Sequence, residues 1–287
     1  MTPDNIYAKE YGNIVFPKSQ QEGSRLRGTV MVKSGVKAEE TYMDQINSFA
    51  ALPKGARLAD TDPTLASFDR RRIALEDFYV AKAWEKMDDI RTLADPTSAI
   101  VRNGINAMGR KIDDIIIAAA TGTAYTGKTG TTAVAFPTST NQIAAGGANL
   151  TLAKWLDGIE VLNLNDVDPS EEKFIIIGSN QLTSLLTTTE VKSADFNTVR
   201  ALVKGEVNEF LGCKVIRSER LAKSGNNRNI LLYVKSAIGV AFGQDVVSRM
   251  DELPGKHYAK QLYFSMSVGA SRLEEAKIVS ILCDETA

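Results

Sequence analysis

Residues Gly122 to Thr129 read G-T-A-Y-T-G-K-T, a literal match to the phosphate-binding pattern G-x-x-x-x-G-K-[ST]. In a working phosphate loop a strand delivers the chain to a glycine turn, whose backbone N–H groups cup the phosphates. A helix then begins at once, with its positive end toward them. The lysine neutralises phosphate charge and the hydroxyl holds magnesium. Gly122, Gly127, Lys128 and Thr129 can do this chemistry only if a strand precedes them and a helix follows. The upstream flank reads as helix instead. Asp95 can cap, Pro96 suits the first helical position, and Val101, Ile105, Met108, Ile112, Ile115 and Ala119 recur at spacings of three and four. Arg102, Asn106, Arg110 and Asp113 fall largely off that face. Ile115-Ile116-Ile117 as a short buried strand is the alternative that favours nucleotide chemistry. Downstream, Gly130-Thr131-Thr132-Ala133-Val134-Ala135-Phe136-Pro137 is a poor helix start. The apolar run Phe174 to Ile177 ends in Gly178-Ser179-Asn180, with no aspartate for magnesium. The match is read as a coincidence in a Gly/Thr-rich loop, so no catalytic, cofactor-binding or metal-binding residue is assigned. A P-loop nucleotide hydrolase stands as the alternative function of a different class.

The other reactive residue types lack partners. His257, the only histidine, lies in Pro254-Gly255-Lys256-His257, a turn, with no serine in a nucleophile-elbow pattern. Cys213 and Cys283 imply no disulfide framework, and with one histidine they cannot build an ordinary zinc site. Asp88-Asp89, Asp113-Asp114, Glu171-Glu172 and Glu274-Glu275 are acidic pairs. Adjacent residues on a helix do not converge on one site, so they read as solvated faces or subunit-contact charges. Arg70-Arg71-Arg72 is the one basic cluster. In a strand Arg70 and Arg72 share a face and Arg71 takes the other.

The chain has 287 residues and a formal net charge of −1. That length buries a large core, and the charge balance argues against a dedicated nucleic-acid binder. It leaves room for a container that encloses nucleic acid without gripping it. No apolar run approaches the length of a membrane span, and Met1-Thr2-Pro3-Asp4-Asn5 is no secretory signal.

Stepping along the chain, residues 1–23 are polar with scattered Ile6, Tyr7, Ile14, Val15 and Phe16, an extended arm that needs a surface to lie on. Residues 24–34 alternate, with Leu26, Val30 and Val32 on one face, which predicts a half-buried strand. Residues 70–80 are its expected partner across a long polar connection, and a two-stranded projection this thin makes sense when packed on another subunit. The helix from Pro96 to Ala120 would run about 37 Å at 1.5 Å per residue, long enough to act as a spine. Residues 151–235 read as a compact α/β unit. It has a helix through Trp155 and Leu162, strands at 174–177, 211–217 and 230–234, and helices at 180–186 and 194–204. Leu262, Phe264, Met266 and Val268 alternate in a late strand, and 276–283 is the last.

This order resembles the major capsid protein of tailed bacteriophages, the Hong Kong 97 type of fold. The resemblance rests on Asp95-Pro96-Thr97-Ser98, Gly109-Arg110-Lys111-Ile112-Asp113-Asp114 running on through Ile115 to Gly122, Leu202-Val203-Lys204-Gly205 with Phe210-Leu211-Gly212, and Val268-Gly269-Ala270-Ser271-Arg272-Leu273-Glu274. It implies an α+β fold with an N-terminal arm (1–23), an extended β-hairpin loop overlapping a neighbouring subunit (24–80), and a peripheral domain with the spine helix (81–149). An axial α/β domain (150–235) and closing strands of the peripheral sheet (236–287) complete it. The implied function is structural and non-catalytic. Copies self-assemble as pentamers and hexamers into an icosahedral shell around double-stranded DNA, without sequence-specific binding and without a membrane. A virion location, with host cytoplasm during assembly, follows. So does a portal partner, and the early first strand predicts a separate scaffolding protein or none. An encapsulin-like cargo shell shares the fold and is the nearer alternative. Arg70, Arg71, Arg72 and Lys54 are the expected intersubunit contacts, the arginines by pairing with acidic groups of a neighbour. Lys54 lacks a matching Asn and Glu, so no covalent cross-linking is expected.

Overall fold

The computed structural model describes residues 18–55, 63–85, 97–187 and 209–286. The first 17 residues of the expected arm, the Asp95-Pro96 cap, Asp88-Asp89, the helix expected at 194–204 and the motif Leu202–Gly205 lie outside them.

The chain opens with β1 (Met31–Ser34), β2 (Glu40–Ile46), β3 (Phe68–Ala74) and β4 (Glu76–Trp84), then the long helix α1 (Thr97–Thr121). Short strands β5 (Ala124–Thr126), β6 (Thr132–Val134) and β7 (Gln142–Ile143) follow, then helix α2 (Leu152–Leu164), strand β8 (Lys173–Ile177) and helix α3 (Ser179–Thr187). The last part is all strand: β9 (Glu209–Phe210), β10 (Cys213–Arg217), β11 (Lys223–Ser224), β12 (Asn227–Val234), β13 (Ile238–Leu253), β14 (Ala259–Arg272) and β15 (Ile278–Asp284). Three sheets result, ordered β1-β13-β14-β4, β7-β15-β12-β8-β10-β9 with β11 on β12, and β2-β3-β5-β6.

Sequence pattern explains each layer. In β8 and β12, Phe174 to Ile177 and Ile230 to Val234 are uninterrupted apolar runs, as a strand covered on both faces requires, and all are buried. Helix α2 covers one face, and Gly158 lets it approach. A Cβ there would lie 3.1 Å from both Ile281 Cδ1 and Leu232 Cδ2. In β14, Leu262, Phe264, Met266 and Val268 alternate inward beneath α1, and all four are buried. Each such burial is worth roughly 1.5–3 kcal/mol relative to exposure.

Several expectations need correction. Residues 24–34 are not one strand. Arg27–Thr29 form a 3₁₀ turn, only Met31–Ser34 is extended, and Val32 is exposed. β1 pairs in parallel with β13, not with 70–80. The projecting hairpin is β2 with β3, in register Asp44↔Arg70 and Tyr42↔Arg72. The turn forms because Asp113, fully buried on α1, collects the local donors. Ser24 Oγ donates at 2.6 Å, and the backbone N–H groups of Arg25 and Leu26 each donate at 3.1 Å. Strand β10 begins at Cys213, because Leu211 and Gly212 turn with φ of 51° and 72°. The last strand, β15, joins the seven-stranded sheet beside β12 rather than the sheet of β13 and β14.

The long helix lies where its pattern predicts, with Ile115–Ile117 inside it, but its buried face is rotated. Gly104, Met108, Ile112, Ile116 and Ala120 face inward, as do Asn106, Gly109 and Asp113, while Ile105 is exposed. Glycine sets this rotation. A Cβ on Gly104 would fall 2.3 Å from the Phe264 ring, and one on Gly109 would fall 2.3 Å from the carbonyl carbon of Gly23. Close approach at these two positions carries the segment before β1 and the ring of Phe264 onto a face that a hydrophobicity template reads as polar.

Candidate assembly interface

The phosphate-pattern residues sit on a β-hairpin. Gly122 closes α1 by donating to Ala118 O, β5 and β6 then pair antiparallel, and Gly127 to Gly130 form the turn between them. Gly127 and Gly130 take φ of 95° and 61°, and the Gly130 N–H donates to Gly127 O at 3.0 Å. Lys128 and Thr129 are exposed on this turn. Helix precedes the pattern and strand follows it, the reverse of the order that aims a helix N-terminus at phosphate. His257 turns in the left-handed region, φ 49°, between β13 and β14. Cys213 and Cys283 are free and buried, and burial raises both thiols, Cys283 to about 11. Among the described residues no cluster of three or more metal-ligating side chains forms, and no helix is long and apolar enough to cross a membrane.

What stands out chemically is the β2–β3 hairpin. Its outer end carries Ile46, Phe49, Leu52, Leu65 and Phe68, all more than half exposed, with Phe49 at 73% and Leu65 at 98%. Lys54 is exposed in the same loop. Asn47 N donates to Ser67 O at 3.1 Å and Asn47 Nδ2 to Ser67 Oγ at 2.7 Å, so the two strands stay joined one step past Ile46 and Phe68. Single exposed apolar residues are ordinary on a surface, but five on one hairpin are a feature that calls for an explanation.

The base of the hairpin is locked to the body by charge. The expected split of the arginine triplet holds, and each arginine has an acidic partner within the chain. Arg70 pairs with Asp44 at 2.6 Å and Arg72 with Glu40 at 3.2 Å on one face. Arg71 on the other reaches Glu275 at 2.7 Å and donates to Leu273 O at 2.9 Å. The Arg70 guanidinium holds the Asp44 carboxyl below its ordinary value. Glu275 is shared with Arg272, a residue whose role the sequence reading missed. Arg272 is completely buried. It donates to Ala120 O at 3.2 Å, Gly122 O at 2.6 Å and Val134 O at 3.0 Å, pairs with Glu275 at 3.2 Å and stacks over Phe136. It therefore fastens the C-terminus of α1, the β5–β6 hairpin and, through Glu275 and Arg71, the projecting hairpin. The only sequence signal was an arginine ending an alternating apolar strand.

The described acidic pairs also have partners within the chain. Asp113 anchors the turn before β1 and Asp114 pairs with Arg220. Glu171 and Glu274 share Lys277, and Glu172 meets Lys214 and Lys235. At the far end Glu285 binds Lys223, Arg228 and Gln181. These contacts, led by the Lys223 hydrogen bond, pull its carboxyl down to about 2.

A long helix over a mostly antiparallel sheet, a β2–β3 hairpin and a separate α/β sheet make up the subunit. Solved structures of similar fold include phage capsids. The capsid of cyanophage P-SCSP1u is 16% identical at a TM-score of 0.77, covering 98% of this chain and 94% of that one. The capsid of Ralstonia phage GP4 is 10% identical at 0.76, over 99% and 97%. The acid-stable capsid of Helicobacter pylori bacteriophage KHP30 is 11% identical at 0.73, again over 99% and 97%. The fold is the α+β Hong Kong 97 type. The chain belongs to the phage capsid protein family, whose model matches residues 4–285, and it is a structural protein of the tailed-phage capsid. No curated protein matches it.

Proposed function

We propose that copies of this chain close into an icosahedral shell of pentamers and hexamers, holding the β2–β3 hairpin of each subunit over its neighbour. The exposed apolar end of that hairpin carries the reading, since it gains stability only when something covers it. The sheet of β1, β13, β14 and β4 with α1 serves as the peripheral part. The seven-stranded sheet with α2 and α3 serves as the axial part around the symmetry centres. Lys54 and the exposed face of Arg70 are intersubunit contacts, whereas Arg71 acts inside the subunit. The shell encloses double-stranded DNA in the virion without sequence-specific contacts and performs no chemistry. A separate scaffolding protein and a portal are the partners this reading expects, and assembly takes place in host cytoplasm.

The test is Phe49→Ser with Leu52→Ser. The unassembled subunit is expected to keep its unfolding midpoint, while negative-stain electron microscopy shows loss of closed shells. Normal shells from the double variant would remove the hairpin from the interface. Titration with ATP and GTP is expected to give no saturable binding that Lys128→Ala abolishes.

A further inference from the structure

An apolar cavity of about 340 Å³ opens between β4, α1 and β14, lined by Val80, Trp84, Ile100, Ala107 and Phe264. Resting on the shell reading above, we infer that this cavity receives the outer end of a second copy's β2–β3 hairpin. Phe49 and Leu52 of that copy are seated in it, and its Lys54 pairs with Glu85 at the edge.

Position is the first argument. Along β14 the cavity lies at Phe264, opposite Val80, and runs toward Trp84, opposite Lys260. The chain's own hairpin leaves in the other direction. Ala74 lies against Gly269, Arg71 donates to Leu273 O, and Gln45, opposite Asp69, donates to Glu274. Phe264 and Leu273 are about 30 Å apart at the strand rise of about 3.3 Å per residue. Phe49, a few residues beyond Gln45, recovers at most about 14 Å of that by turning back. A subunit therefore cannot fill its cavity with its own Phe49. Apolar end and cavity sit at opposite ends of one chain, so a contact between them is head-to-tail, the kind that closes rings when the rotation per subunit allows. Pentamers and hexamers are such rings.

Fit is the second. Phe49 and Leu52 are both more than two-thirds exposed, and among the described residues no other stretch gathers as many exposed large apolar side chains as this hairpin. An apolar cavity of roughly 150 Å³ admits a benzene ring, so this one has room for a phenylalanine ring and a leucine. The Trp84 indole nitrogen is buried and has no acceptor among the described residues. Residues 48–55 lie outside the strands, with main-chain carbonyls to offer it. Charge is the third. From Ser48 to Gly55 the only charged side chain is Lys54, so the segment suits an apolar seat. Lys54 follows Leu52 by about 7 Å of extended chain, and Glu85 directly follows Trp84; both are exposed. Lys82 also lines the cavity, and Glu85 offsets it, so an entering lysine meets no net positive charge.

The test places p-benzoylphenylalanine at position 49 of the full chain, irradiates assembled shells, and maps the products by mass spectrometry. The expected product runs as a multimer on a denaturing gel, with position 49 joined to 80–85, 100–107 or Phe264 of another copy. Ala107→Trp, which fills the cavity, is expected to abolish that product, and a product that persists would overturn the seat. Joining between chains at another place would also overturn the seat, while leaving the hairpin-over-neighbour reading intact. Shells with no joining between chains would overturn both. The unassembled subunit is the control, and joining to its own cavity would overturn the head-to-tail assignment. Charge reversal is an independent readout. Lys54→Glu and Glu85→Lys are each expected to lower the yield of shells, and the double variant to restore it; no rescue would remove the Lys54–Glu85 pair.

Discussion

Replacing Asp113 by alanine tests the reasoning about the segment before β1 most directly. The carboxylate is fully buried on α1, and its two oxygens serve the Ser24 hydroxyl at 2.6 Å and the main-chain N–H groups of Arg25 and Leu26 at 3.1 Å, with Gln21 Nε2 as a fourth donor. Alanine leaves at least the two main-chain donors without their acceptor, that of Leu26 in a buried position and that of Arg25 in a partly buried one. Stranding a buried donor costs about 1–3 kcal/mol, and hydrogen bonds to a charged acceptor sit at the upper end. Two or three such losses, less the relief of no longer burying a charge, give about 3–5 kcal/mol. A domain has only about 5–15 kcal/mol in hand, so the loss is large. Asp113→Asn keeps one acceptor oxygen and should lose about half as much. The assay is urea unfolding of the unassembled subunit followed by tryptophan fluorescence, with trypsin cleavage at Arg25 and Arg27 reporting local release. A midpoint for Asp113→Ala equivalent to wild type within about 0.5 kcal/mol, with no faster cleavage at either arginine, would refute the claim that Asp113 organises this turn.

Other expectations follow from the same contacts. Gly104→Ala should lower the melting temperature of the subunit, because its Cβ would fall 2.3 Å from the Phe264 ring and overpacking costs about 1–3 kcal/mol. Gly269→Ala should be worse, since its Cβ would lie 1.9 Å from Ala74 O and backbone must move. The yield of soluble subunit measures it. The two arginine variants should part company. Arg71→Ala, which removes a largely buried pair with Glu275 and the donor to Leu273 O, should destabilise the subunit, whereas Arg70→Ala removes an exposed pair and should leave its urea midpoint nearly unchanged. Glu285 binds protons less readily when folded, its carboxyl held at about 2 against an ordinary 4.5. Its stabilisation is therefore full above about pH 4.5 and lost as pH falls toward 2. The melting-temperature gap between wild type and Glu285→Gln should be widest near neutral pH and close across that window.

Elements with a strong period were legible in the sequence. The alternation in β14, the unbroken apolar runs of β8 and β12, and the 25-residue helix α1 all lie where their patterns place them, because burial on one face or two leaves a direct imprint on residue type. The segment before β1 was not, because Leu26 and Val30 are buried by a turn rather than by a strand. The turn depends on a carboxylate 87 residues away from Leu26. Apolar spacing alone cannot distinguish these two ways of hiding a side chain. The helix face was misread for a related reason, since a glycine against an aromatic ring counts as core in space and as neutral in a hydrophobicity template.

The arginine triplet shows where local reading stops and pairing takes over. Alternation correctly placed Arg70 and Arg72 on one face, yet their partners depend on which strand lies alongside. Glu40, Tyr42 and Asp44 also share a face, and the register that sets Asp44 opposite Arg70 brings both carboxylates and both guanidinium groups together within one hairpin. That complementarity was present in the sequence as E-T-Y-M-D against R-R-R, but it becomes readable only once residues 40–46 rather than 24–34 are taken as the partner strand. With these charges paired within the chain, the neighbour contact proposed for the hairpin rests chiefly on its apolar end. A surface of this kind is the hardest feature to recognise from sequence. Under the proposed assembly, what Phe49, Leu52 and Leu65 pack against belongs to another copy and leaves no register in this one, so they follow no period.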